Sequence, residues 1–228
     1  MYLGIRNYLN TTMRRRWLDR YIRESFEFLN QGLVLDVGGV KRWQRGDVEA
    51  YKKIQRKRLC LNISPEAEPD LVADACYLPI KSGSIETVVC FEVLEYIEDL
   101  GKFVCECSRV LKSGGRIIIS WPFMHGLHGD SDHDKLRFTS IFVLRALENA
   151  GFEIEHKYSM GGISAVVFDF LQKRSQISTS FVLKVLFKCC QIGLLSFAWA
   201  SFRNPKWEEQ ITTGFFVTAK KGIDINAQ

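Results

Sequence analysis

Nowhere in this chain do two of the seven cysteines form a CxxC pair; they stand at 60, 76, 90, 105, 107, 189 and 190. Their odd number and irregular spacing suggest neither a zinc knuckle nor a disulfide framework. Reduced thiols, mostly in the core, are expected instead. The first residues, MYLGIRNYLNTTMRRRW, lack an apolar stretch long enough for export, and their arginines follow that stretch rather than precede it. There is no internal repeat, no low-complexity tract and no HExxH motif. A basic stretch interleaved with aromatics is also missing, so nucleic acid is not the expected partner.

What is present is globular in composition. Of 228 residues, 46% are hydrophobic and 25% charged, enough to bury a core without cross-links. At roughly 150 residues per domain, the length allows one large domain or one with an insertion. The net charge of +5 is unevenly spread. Residues 1–60 carry 14 Lys/Arg against 6 Asp/Glu, and residues 61–228 carry 17 against 20. A basic N-terminal quarter of this kind suits an anionic surface or an acidic substrate.

Periodicity gives the elements. Leu18, Ile22, Phe26 and Leu29 recur at helical spacing, predicting an amphipathic helix over 13–30, closed by Asn30-Gln31-Gly32. Next, Leu33 to Val37 is a short apolar run ending in Gly38-Gly39, the pattern of a buried parallel strand opening into a ligand loop. Further strands are expected over 58–63, 71–73, 87–91, 116–121, 152–158 and 212–220, with helices over 100–111 and 140–149 between them. Such alternation implies an α/β, doubly wound, mostly parallel sheet of seven strands. A single domain spanning 1–228 follows, with a basic helical region at 1–30 and a helical insertion at 160–211.

In a parallel sheet, ligands bind beyond the carboxyl ends of the strands. There the chain places Asp36-Val37-Gly38-Gly39, then Asn62-Ile63, Asp74-Ala75 and Cys90-Phe91-Glu92. In order and spacing, VLDVGG, LVADACYLPI and RVLKSGGRIIISWP resemble class I S-adenosylmethionine-dependent methyltransferases, across roughly residues 30–160 plus the final strand. The resemblance implies a Rossmann-like sheet with an antiparallel last strand and S-adenosylmethionine as cofactor. Gly38 and Gly39 would let the backbone approach the methionine portion, and Asp36 would attract its ammonium. Asn62 stands where the family grips the ribose, Asp74 where it meets the adenine amine, and the backbone at Cys90 and Phe91 would face the sulfonium. Two departures stand out. Val40 and Arg42 occupy places of further glycines, and Asn62 replaces an acid. An amide accepts no charge-assisted bonds from a diol, which lowers cofactor affinity by about 1 to 2 kcal/mol. These departures leave open a second reading, a catalytically silent relative acting as a membrane or complex partner.

Three of the four histidines fall between 125 and 133. Pro122, Phe123, His128, Asp134, Arg137, Phe138 and Thr139 resemble the PF…H…D..RFT pattern of methyltransferases associated with bacterial surface polysaccharide synthesis (O-antigen and capsule). This resemblance implies transfer to a sugar hydroxyl of a small-molecule or lipid-linked glycan precursor. Removing the hydroxyl proton then needs a base, worth about 10²- to 10⁴-fold. His128 or His133 fits that role, with Asp134 orienting an imidazole and Arg137 holding the acceptor. The competing reading is structural: Asp134 and Arg137, three apart, form a salt bridge pinning the loop before a helix that Thr139 caps. A metal ranks below a general base because the spacing matches no tight motif.

Within the insertion, 181–201 reads FVLKVLFKCCQIGLLSFAWAS. Ten large apolar residues at about −0.3 to −0.6 kcal/mol each nearly cancel two lysines at about +2.5 to +3.5. A single crossing would also leave the last two strands on opposite sides of the membrane. An interfacial helix or a cap over the site remains, aided by Trp199, Trp207 and the basic N-terminal helix, and placed at the cytoplasmic face of the membrane. Oligomeric state stays open.

Overall fold

The computed structural model describes residues 11–29, 32–40, 58–127, 132–200 and 210–222, with side chains described to residue 194 in the insertion. Seven strands form one sheet: β1 (Val34–Val37), β2 (Arg58–Asn62), β3 (Leu71–Val72), β4 (Ile85–Phe91), β5 (Leu111–Pro122), β6 (Phe152–Ser159) and β7 (Gly214–Lys221). Their order is β3-β2-β1-β4-β5-β7-β6. Only β7 runs antiparallel, to β5 on one side and β6 on the other. The expected seven-stranded, Rossmann-like sheet with an antiparallel last strand is therefore the observed one.

Burial explains why these short runs are strands. All four residues of β1 are buried, as befits a parallel strand covered on both faces. Helices α2 (Leu100–Val110) and α3 (Ser140–Asn149) cover one face, where Phe103, Val104, Val143 and Leu147 pack on Val88, Ile117, Ile119 and Val217. Helix α1 (Met13–Glu24) covers the other, through Trp17, Leu18, Tyr21 and Ile22 against Val89, Phe91, Ile118 and Phe216. Helix α1 ends earlier than the periodicity predicts: Ser25 closes it by donating its N–H to the Tyr21 carbonyl, and a separate helical turn, Phe26–Leu29, follows. The β5 strand starts earlier than expected, at Leu111, and its register against β4 shifts between Ile85 and Thr87.

The insertion between β6 and β7 contains α4 (Ile163–Ile177) and α5 (Phe181–Ala200). No helix among the described residues is long and apolar enough to cross a membrane. Trp199 and Trp207, invoked above as interfacial anchors, lie outside the described side chains. Of the cysteines, Cys60, Cys76, Cys90 and Cys107 are buried, the other three are exposed, and all are free.

Candidate active site

At the carboxyl end of β1 the chain turns through Gly38, whose φ of +73° belongs to the left-handed region. A Cβ there would overlap the Val93 side chain, and one at Gly39 would lie 2.6 Å from Asp36 Oδ2 and 2.9 Å from Cys60 Sγ. Only glycine fits this turn. The Gly38 N–H donates to the Leu61 carbonyl at 2.8 Å, tying the loop to β2. Val37 sits between Leu61 and Cys90 in register.

Two polar groups assigned to the cofactor are engaged within the chain. Asp36 accepts from Arg58 Nη1 at 2.9 Å, with both side chains almost fully buried, and Arg58 Nη2 donates to the Val40 carbonyl at 3.2 Å. Arg58 as the partner of Asp36 was not foreseen, since 22 residues separate them. Asn62 Nδ2 donates to the Gly39 carbonyl at 2.9 Å, while its Oδ1 accepts the Ser64 N–H at 3.0 Å. A carboxylate at 62 could not make the first bond, which gives the amide a reason to be there.

Farther along the same edge, Ile63 is 73% exposed. Asp74, also exposed, accepts the Cys76 N–H at 2.8 Å through one oxygen; half-buried Ala75 lies between them. Ile63 and Asp74 thus stand exposed just past the carboxyl ends of β2 and β3. Cys90 and Phe91 are buried, at 0% and 1% exposure, backbone included.

Beyond β4 the site changes character. Glu92, a non-glycine residue at φ +58°, is held by its N–H to the Ser120 carbonyl (3.0 Å), by Ser120 Oγ donating to Oε1 (2.9 Å), and by an ion pair with Arg14. Strained backbone of this kind persists only where its surroundings over-determine it. Arg14 comes from α1, and the first two N–H groups of that helix, at Met13 and Arg14, donate to Asp169 of α4 at 2.6 and 3.2 Å. Asp169 thus caps α1 from the insertion, satisfying donors that have no partner within the helix. Glu95 is 1% exposed. Burial pushes its carboxyl up to about 7, with Asp134 adding to the rise and Arg14 and Arg137 opposing it. Burial likewise raises Asp169 to about 6 and draws Arg14 down to about 10.

The predicted catalytic segment divides. Asp134, buried, forms a two-pronged ion pair with Arg137 (Nη2 to Oδ2, 2.8 Å), so both its oxygens face a guanidinium. The salt bridge of the competing reading is present. Thr139 Oγ1 accepts the Phe142 N–H at 3.4 Å as the α3 cap, and Trp121 Nε1 donates to the Phe138 carbonyl at 2.9 Å. His133 is exposed, and His128 lies outside the described residues. The loop is fastened to the helical turn after β4 (Leu94–Tyr96) by the N–H groups of Lys135 and Leu136, both donating to the Glu95 carbonyl at 3.2 Å. Arg14, Glu95 and Asp169 escaped the sequence reading; the one available signal was Asp169, a lone acid in the apolar run ISAVVFDFL.

The basic N-terminal helix uses part of its charge inside the protein, while Arg20 and Arg23 stay exposed. Within the described residues Arg14 is buried against Glu92, Arg15 pairs with Asp19 at 2.9 Å, and Arg16 Nη1 donates to Met13 Sδ at 3.3 Å. These arginines are spent on the protein itself.

Comparison with known proteins agrees with this geometry. The model of a methyltransferase domain family matches residues 30–119. A "probable S-adenosylmethionine-dependent methyltransferase" of Mycolicibacterium smegmatis is 36% identical over 83 residues, covering 34% of this chain and 32% of that protein. One of Mycobacterium tuberculosis is 40% identical over 50 residues, 22% of this chain and 18% of that protein. The matches therefore span about a third or less of those relatives. Among solved structures, an S-adenosylmethionine-dependent methyltransferase from Mesorhizobium loti aligns with TM-score 0.54 at 16% identity, over 89% of this chain and 96% of that one. A geranyl diphosphate C-methyltransferase from Streptomyces coelicolor aligns with TM-score 0.55 at 12% identity, over 89% and 78%. The [4+2]-cyclase SpnF aligns with TM-score 0.58 at 15%, over 90% and 82%, so the fold by itself does not fix a reaction. The sheet is the Rossmann-like methyltransferase fold, and residues 30–119 match a methyltransferase domain family.

Proposed function

We propose that this chain transfers a methyl group from S-adenosylmethionine to a sugar hydroxyl of a surface-glycan precursor, small or lipid-linked, at the cytoplasmic face of the membrane. The observation that carries the cofactor half is the Gly38-Gly39 turn, which no other residue fits, at the carboxyl end of β1. When bound, S-adenosylmethionine supplies an electrophilic methyl group on a sulfonium. Val37, Gly38 and Gly39 would hold its amino-acid portion and Asn62, Ile63, Asp74 and Ala75 its adenosine. The acceptor half rests on the Pro122–Thr139 segment alone. There His128 or His133 would take the proton of the sugar hydroxyl that is to accept the methyl group. Arg137, fixed by Asp134, presents donors to the acceptor.

Calorimetry with S-adenosylhomocysteine tests the first half: binding to the folded chain is expected, and its absence would sink the proposal. Given binding, His128→Ala and His133→Ala test the second. At least one should slow turnover by about 10²-fold or more while cofactor affinity holds; wild-type rates in both reject the base assignment. A second reading, the catalytically silent partner protein, is favoured by one observation, that Asp36 and Asn62 are engaged by Arg58 and Gly39. It predicts no binding in the same experiment.

A further inference from the structure

Among the described residues, the insertion carries a run of exposed apolar side chains. At about 100° per residue from Phe181, the side chains of Phe181, Ile192, Val185, Val182, Leu186 and Leu183 fall in that order around an arc of about 200°. Each is at least 40% exposed. Gln191, fully buried and donating to the Phe168 carbonyl at 3.3 Å, marks the opposite side, turned to α4. Lys184 and Lys188 fall between that side and the arc, along its edge. Helix α4 repeats the pattern: Ile163, Val167, Phe170 and Ile177 form one exposed stripe, interrupted by exposed Arg174. Helix α5 has no acid, and the one acid of α4, Asp169, is buried under α1.

From this we infer that α4 and α5 form a docking surface for an anionic lipid bilayer, lying in its interface with the apolar arc among the acyl chains and the lysines at the headgroups. Charge decides the occupant. In a symmetric contact with a second copy, the same patch meets itself, bringing lysines together with no acid on either exposed face to neutralise them. Anionic headgroups supply that charge, and the combination of apolar arc with basic margin is that of an interfacial helix. A crossing helix does not fit, because β6 and β7 on either side belong to one sheet. Of the arginines of α1, Arg14, Arg15 and Arg16 are engaged within the chain, and exposed Arg20 is offset by Glu24. The inference deepens the membrane-face part of the reading above, but vesicle binding is read without turnover, so the failure of either leaves the other standing.

Co-sedimentation of the full chain with phosphatidylcholine vesicles, with and without about one quarter phosphatidylglycerol, tests it. Wild type should partition about tenfold or more in favour of the anionic vesicles and come off with salt. Lys184→Gln with Lys188→Gln should abolish that preference. Val182→Glu with Leu186→Glu, at exposed positions that leave the core intact, should abolish binding while the circular dichroism stays that of wild type. Wild type that stays in the supernatant, or glutamate variants that sediment as wild type does, would overturn the inference. So would a concentration-dependent dimer in sedimentation velocity that the glutamate variants dissolve while vesicles remain unbound; that result assigns the face to a second copy.

Discussion

The two halves of the sheet's carboxyl edge are built in opposite ways. Beyond β1 to β3, the proposed cofactor half is made mostly of backbone: a left-handed glycine, a carbonyl tied by Asn62 and an Asx turn at Asp74, with one buried ion pair, Asp36–Arg58, behind them. Beyond β4 and β5, the acceptor half is made of buried charge, with Arg14, Glu92, Glu95, Asp134, Arg137 and Asp169 drawn from four separate stretches of chain. A turn is fixed by local sterics and tolerates isolation. In a buried ionic cluster, removing one member of an ion pair leaves its partner uncompensated. Loss of an arginine should therefore cost the acceptor half more than a single change costs the cofactor half.

The largest effect expected is at Arg14. Arg14→Ala leaves Glu92 buried without its partner and should cost about 3 to 5 kcal/mol in denaturant unfolding. Replacing the pair together, Arg14→Met with Glu92→Gln, should recover most of that loss. A cost below about 1 kcal/mol for the single variant would mean the cluster does not hold α1 over the site, and the contrast between the halves would collapse.

Gly38→Ala tests the other half. With φ at +73° and Val93 against the new methyl group, the turn must distort, and S-adenosylhomocysteine affinity should fall about a hundredfold, near 3 kcal/mol. Adding Val93→Ala should return part of it by removing the overlap. Equal affinity in wild type and Gly38→Ala would show that the turn does not face the cofactor.

The same contrast explains what the sequence made legible. Strand positions and the glycine turn are readable because they follow from local signals: apolar runs such as VLDV and IETVVCF, each followed by a glycine or an acid. Helix α3 matches its predicted bounds because Thr139 and Gly151 mark its ends. Arg14 reads as one of three solvated arginines until the fold brings it to Glu92, 78 positions away. Asp169 lies 155 residues from the N–H it caps at Arg14; no periodicity carries such information. Asp134 and Arg137, three apart, were readable as a pair because their contact is local.

Glu95 adds a pH test. Its carboxyl is raised to about 7 by burial, above the unfolded value near 4.3, so the folded state holds its proton more tightly. Stability from this group is full below about pH 4 and is lost as pH climbs through about 7. Glu95→Gln, which keeps the neutral form at every pH, should stabilise the fold by about 2 kcal/mol at pH 8 and by little at pH 4. Melting curves at the two pH values check the sign. A gain that grows toward acid would mean that Arg14 and Arg137 outweigh burial and hold Glu95 ionised.

The smallest and sharpest change is Asn62→Asp. In the free protein the new carboxylate loses the bond to the Gly39 carbonyl and faces that oxygen instead, costing about 1 kcal/mol of stability. It still accepts from Ser64. With a ribose present, the carboxylate gains charge-assisted bonds from the diol, so S-adenosylhomocysteine affinity should rise about tenfold. The two measurements move in opposite directions only if position 62 stands both against the glycine loop and against the cofactor. Lower stability with unchanged affinity would make Asn62 a fastener of the loop alone and would favour the catalytically silent reading. Higher affinity would mean that this chain has given up cofactor grip to keep its glycine turn closed.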